Sequence, residues 1–359
     1  VRNTIRRLLI EATALALVAL LTACTGAPRA DSPQDGVQRV PHAQEAKPMQ
    51  VGPTRAIQTL AEAARRARDG EAIEVDAGEY RRDVAVWTQN RLTLRAIGGR
   101  VRLLADGAAA EGKAIWVVRA SQMQVQGFDF QGARVAARNG AGIRFETGQL
   151  TVRDCRFIDN EMGLLTNNDS QAELVVEDSE FAHNQRPDGH NHQLYAGSIR
   201  SLTVEKSHFH HGSVGHLLKS RAAFNHIAHN RLVDGPDGSA SYELEFPNGG
   251  VAVVRNNLIQ QGARTQNPIM VSYGAEGYRW PTNSLELVHN TLVDDLPQGG
   301  IALRVMPGEV TLKLHDNLLV GGSGPMLATP ARPGDEVRDN RRVERSALAS
   351  DLSAKRRSE

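Results

Sequence analysis

Val152-RDCR-Phe157, Val176-EDSE-Phe181 and Val204-EKSH-Phe209 are copies of one six-residue pattern, apolar at its first and sixth positions and polar between. The pattern recurs as Val125-QGFD-Phe130, Ile227-AHNR-Leu232, Val254-RNNL-Ile259, Val288-HNTL-Val293 and Leu314-HDNL-Leu319. Successive copies start 27, 24, 28, 23, 27, 34 and 26 residues apart. That period is too short for repeats built from helix pairs, and the Leu-x-x-Leu-x-Leu signature of leucine-rich repeats is missing. The third and fourth positions hold Asp154, Asp178, His229, Asn230, Asn256, Asn257, Asn290, Asp316 and Asn317. Asn and Asp tolerate left-handed backbone angles, which a sharp corner requires. Asn side chains stacked in successive layers can also bond one another. With the apolar ends turned inward, each repeat makes one coil. The expected fold is all-β, a single-stranded right-handed parallel β-helix. Cys155 takes one corner slot and is expected to pack there as a small buried residue.

Composition agrees. Aromatic residues are only 4% and glycines number 33, which suits a fold of many tight turns. The net charge of +1 sets up no global field for nucleic acid. At the N-terminus, Arg2, Arg6 and Arg7 precede an apolar run from Ala12 to Leu21. The run falls short of the roughly 20 residues that span a bilayer. Its ending, Leu21-Thr22-Ala23-Cys24, resembles the bacterial lipobox. The resemblance implies a signal peptide over 1–23, lipid attachment at Cys24 and placement in the cell envelope, the chain facing the periplasm or exterior. Residues 24–49 lack an apolar period and read as a tether. The β-helix is expected over 50–327, as a monomer, and a polar tail or cap over 328–359. Ile57, Leu60, Ala61, Ala64 and Ala67 have helical spacing and lead into the alternating stretch Ala72–Tyr80. This opening resembles that of pectate-lyase-like β-helices, where a short helix plugs the open end.

A second strand column carries unusual residues. Leu194, Leu217 and Leu244 each lie ten residues before a pattern start, so they are expected to stack and face inward. Gln193, His216 and Glu243 would then form one outward row, and Tyr195, Leu218 and Glu245 another. Glu243 and Glu245, two residues apart on one strand, offer a carboxylate pair for glycoside hydrolysis. Tyr195, Tyr242 and Tyr273 offer sugar-stacking surfaces, with His192 and Arg221 as further contacts. The stretch Leu217–Leu232 resembles the catalytic-lysine coil of the chondroitinase B and alginate lyase family. That resemblance implies Lys219 as general base in a β-elimination next to a uronate carboxyl group, with room for a divalent cation such as calcium as a cofactor; His216, in the neighbouring outward row, is a further catalytic candidate. Two family features differ: Val214, Gly215 and His216 replace acidic calcium ligands, and Tyr242-Glu243-Leu244-Glu245 replaces an arginine-bearing rung.

Nine of the twelve histidines fall between His183 and His229. His183 and His211 share the offset of seven from Val176 and Val204 and are expected to stack, although no metal motif of known spacing is present. Three functions stay open: an enzyme that binds and cleaves polysaccharide, as lyase or hydrolase; a non-catalytic envelope protein that binds glycan or protein; and a metal-handling accessory factor.

Overall fold

A computed structural model describes residues 47–345 except Pro187 and His190. Cys24, the expected signal peptide and nearly all of the tether lie outside the described residues, as does the chain beyond Arg345.

The described chain winds into a parallel β-helix. Its strands form a nine-stranded sheet, here called the lateral sheet, and a 21-stranded sheet that wraps the other faces. Strand crossovers of this kind are right-handed. The pattern copies stack as expected: Val152 pairs with Val176, Val176 with Val204, Val204 with Ile227 and Ile227 with Val254. One copy shifts. Val254 pairs with Leu287, and Leu287 with Leu314, so the copy expected at Val288–Val293 is Leu287–Leu292. Leu287 and Val288 are both apolar, and composition alone could not choose between them.

The pattern's polar centre builds the corner. The third residue takes a left-handed conformation at Asp154, Asp178, Lys206, His229, Asn256, His289, Asp316 and Asp339, with φ between 48° and 59°. The fourth residue turns inside and forms a ladder. Cys155 N–H donates to Ser179 Oγ (3.1 Å), Ser179 N–H to Ser207 Oγ (3.1 Å), and Ser207 N–H to Asn230 Oδ1 (2.9 Å). From there Asn230, Asn257, Asn290, Asn317 and Asn340 link side chain to side chain at 2.9–3.1 Å. From Cys155 to Asn317 these bonds satisfy buried polar groups. Along the sixth position, Phe130, Phe157, Phe181 and Phe209 stack with ring centroids 4.6–5.0 Å apart.

The ends differ from expectation in detail. Strand Met49–Val51 already pairs with Ile73–Val75, so the tether's last residue belongs to the coil. The helix is short, Leu60–Arg66, with Thr59 as its cap and Leu60, Ala63 and Ala64 buried against the first coil. Asp83 accepts from Leu60 N–H (2.6 Å) and Ala61 N–H (2.9 Å), which fixes the helix to the end of the solenoid. At the other end the repeat continues past Leu327. Glu336–Arg338 and Arg341–Val343 add a coil, and Leu319 pairs with Arg342. At that sixth position Arg342 is exposed, and its guanidinium donates to Gly321 O (3.0 Å). No helix among the described residues is long and apolar enough to cross a membrane.

The ladder makes a prediction. Asn257→Ala strands the buried Asn230 N–H and Ile227 O that Asn257 now serves, and is expected to cost about 3 kcal/mol or more. Asn257→Ser, the residue used at Ser179 and Ser207, is expected to cost about 1 kcal/mol. Urea melts of both variants measure the difference.

Candidate functional site

The lateral sheet stacks His192–Ala196, His216–Ser220, Tyr242–Phe246, Ile269–Tyr273 and Ile301–Val305. Strands normally alternate in and out, but these do not. Register pairs run through the first, third and fourth residues and skip the second. Second and third residues are both buried: Gln193 and Leu194, Leu217 and Leu218, Glu243 and Leu244, Met270 and Val271. In the two preceding coils the second residue is a glycine whose added Cβ would meet the lumenal phenylalanines, at 2.7 Å for Gly142 and 2.9 Å for Gly163. The second position therefore points into the lumen.

This local break corrects several expectations. Leu194 stacks on Leu218, and Leu218 on Leu244. Leu217 is displaced because the connection from this strand to the next corner is one residue shorter in its coil. Gln193 is interior, with Oε1 2.5 Å from Asn184 Nδ2. Glu243 is also interior and fully buried, and neither carboxyl oxygen has a hydrogen-bond partner. Burial, reinforced by nearby Asp234, raises its carboxyl well above the ordinary range, so it is a neutral acid in the lumen. The Glu243–Glu245 pair does not exist on one face. Tyr273 is likewise fully buried, and its hydroxyl donates to Gly250 O (2.5 Å).

The remaining candidates converge on the outer face. One row holds His192, His216 and Tyr242, and a second holds Tyr195, Lys219, Glu245, Ser272 and Arg304. Oε2 of Glu245 lies 2.9 Å from Lys219 Nζ and 3.1 Å from His216 Nδ1, as close contacts off the hydrogen-bond directions. Burial alone would raise the Glu245 carboxyl, but His216 and Lys219 together hold it below the ordinary carboxylate range. Desolvation lowers the His216 imidazole against the opposing pull of Glu245.

Four residues of this network were missed in sequence: Asn248, Ser272, Glu276 and Arg304. Glu276 lies in the turn after Ile269–Tyr273, within the coil of longest interval, and that extra length was its one signal. Its carboxylate bridges two cations. Oε1 lies 3.0 Å from Lys219 Nζ and 2.9 Å from Arg221 Nη2, and Oε2 lies 2.7 Å from Arg221 Nη1. Arg221, then Lys219, bring its pKa down to about 2 against the cost of burial. Arg221 also donates through Nε to Tyr195 Oη (2.7 Å) and through Nη1 to Asn248 Oδ1 (2.5 Å). Arg304 donates to Tyr242 Oη and lies over its ring. Toward the N-terminus the same face turns apolar, with Ala114, Val117, Ala141, Met162 and Leu165 clustered beside Tyr195.

A calcium ion of the kind the family resemblance implied does not fit here. Calcium requires several oxygen ligands, whereas Glu245 and Glu276 are both engaged by cations. His183 and His211 do stack, at 4.5 Å between ring centroids, at a corner after the short strands of the other sheet.

No family model matches this sequence, and no curated protein matches it. Solved structures that resemble the fold include ORF18 of Geobacillus virus E2, at 13% identity and a TM-score of 0.47, covering 77% of this chain and 54% of that one. The chain thus spans about half the length of that protein. The alginate lyase from Paenibacillus sp. str. FPU-7 aligns at 13% identity and a TM-score of 0.35, covering 79% of this chain and 95% of that one.

Glu243 supplies a test of its interior placement. Glu243→Met keeps the volume and removes an unpaired buried acid, so it is expected to stabilise by about 1–3 kcal/mol. The wild-type residue stays protonated when folded but ionises in the unfolded chain above its ordinary value of 4.5. Wild-type stability therefore falls as pH rises above that value, and the variant's gain should be larger at pH 8 than at pH 5. Thermal melts at the two pH values read both effects.

Proposed function

We propose that the outer face of the lateral sheet binds an acidic polysaccharide and cleaves it by β-elimination. The observation that carries this reading is the seat of Glu276. Its carboxylate rests on the Lys219–Arg221 cation pair and comes from a surface turn, with its side chain 41% exposed. A uronate carboxylate has the same charge and shape and can take that seat when the turn yields it. Arg304 lies on the same face, three coils on from Lys219, where it can meet a further acidic unit. Tyr195 and Tyr242, both half-buried, offer surface to sugar rings.

The chemistry follows from the partners. Lys219 stands between two carboxylates, so we assign it as the cation that neutralises the substrate carboxylate and stabilises the enolate-like charge. Tyr195 Oη accepts the Arg221 N–H and is paired in register with Lys219, and we assign it to take the proton next to the carboxyl group and to return it to the leaving glycosidic oxygen. Hydrolysis fits less well. A two-carboxylate hydrolase needs one protonated acid, whereas Glu245 and Glu276 are both held ionised. In this reading a lipid on Cys24 keeps the β-helix at the cell envelope, where such polymers are met.

The test uses a panel of polyuronates. Lys219→Ala and Arg221→Ala are each expected to weaken binding at least about tenfold, measured by calorimetry. Glu276→Gln is expected to strengthen it several-fold by freeing the seat. Unsaturated products, detected by ultraviolet absorbance, should form with the wild type and disappear with Tyr195→Phe. Binding without unsaturated product leaves a glycan-binding protein and removes the lyase reading. Binding that Lys219→Ala and Arg221→Ala leave intact removes the site.

A further inference from the structure

Away from the lateral sheet, three imidazoles meet at one corner. His183 and His211 directly follow the short strands Glu180–Ala182 and His208–His210, and both take left-handed turns, with φ of 55° and 51°. They are equivalent residues of successive coils, and their rings stack. His210 presents its ring edge-on to both, at 6.0 Å from His183 and 4.8 Å from His211 between centroids. One ring nitrogen from each of the three lies within 4.8 Å of the others.

The hydrogen bonds fix where the lone pairs point. His210 Nε2 lies 3.1 Å from Glu180 Oε1. An ionised carboxylate only accepts, so Nε2 carries the proton and Nδ1 of the neutral ring is a lone pair. That lone pair faces Nδ1 of His211 at 2.5 Å. A single shared proton serves this pair but leaves His183 unused, whereas a cation between the rings serves all three. A carboxylate on the far nitrogen is also how proteins orient metal-binding imidazoles and raise their basicity.

We propose that His183, His210 and His211 form a binding site for a divalent transition-metal ion of the imidazole-preferring kind, such as Zn²⁺, with Glu180 as the positioning residue. Three nitrogens at about 2.0–2.1 Å from a tetrahedral ion leave a fourth position open to solvent or a ligand. His183 is exposed and free to swing its ring inward, and opening the His210–His211 contact by less than about 1 Å admits the ion. A site of this composition favours Zn²⁺ over Ca²⁺, which prefers oxygen. The site shares no residue with the proposed glycan face.

The test uses tag-free protein loaded with Zn²⁺, desalted and assayed for metal. The wild type is expected to retain about one equivalent, unaffected by excess Ca²⁺, and a Co²⁺-loaded sample should show visible bands of a low-coordinate nitrogen site. His183→Asn and His211→Asn, which keep a residue tolerant of the left-handed turn, should each lose at least about tenfold in affinity. Lys219→Ala should bind as the wild type does. Retention below about one-tenth equivalent, or retention unchanged in both Asn variants at matched circular dichroism, overturns the site.

Discussion

A coil of this solenoid can exist only if the coil beneath it satisfies its buried corner. The lumen is lined by buried side chains, and each corner places main-chain N–H and C=O groups inside it. The ladder from Cys155 through Ser179 and Ser207 to Asn340 answers that demand, because each fourth-position side chain bonds the backbone of a neighbouring coil. An unpaired group there would cost on the order of 1–3 kcal/mol. The ladder therefore locks vertical register, and the stacked phenylalanines fill the space it leaves. Register in turn lets residues dozens of positions apart share one wall.

The lateral sheet uses that register to gather charged side chains. Two consecutive inward residues per strand widen the buried edge and set two outward rows side by side. His216, Lys219 and Glu245 meet across those rows, and the turn carrying Glu276 folds over them. Charges that are half buried need partners, and the two carboxylates here have them: Glu245 has Lys219, and Glu276 has Lys219 and Arg221. A site of this kind is ready for an anionic ligand, because exchanging one carboxylate for another leaves the cations paired throughout. The histidine corner uses the same register differently, bringing together imidazoles from successive coils.

The fold was legible in the sequence because its constraint is periodic. Val152, Val176 and Val204 announce the core, and Asp154, Asp178 and Asn256 announce the corner. The site was legible in part. Lys219, His216, Glu245, Tyr195, Tyr242 and Arg221 do converge, since even a one-residue error in register keeps neighbouring strands together. Facing was not legible. Strict alternation placed Glu243 outside and Leu218 on the surface, whereas the doubled inward positions bury both. Tyr273 misled because a tyrosine that ends a strand looks alike whether its hydroxyl meets water or Gly250 O. Glu276 and Asn248 come from turns, where no period marks a residue, and Arg304 lies one coil beyond the last rung read.

Cross-linking tests the register directly. Side chains paired in adjacent coils have Cα atoms about 4.8 Å apart, within the range of a disulfide. A Tyr195→Cys, Lys219→Cys double variant is expected to oxidise readily to a single intramolecular bond, because Tyr195 pairs with Lys219 on the outer face. Tyr195→Cys with Leu218→Cys is expected to stay reduced, since Leu218 points into the lumen. Ready oxidation of the second pair and not the first would contradict the stacked wall on which this account of the protein stands.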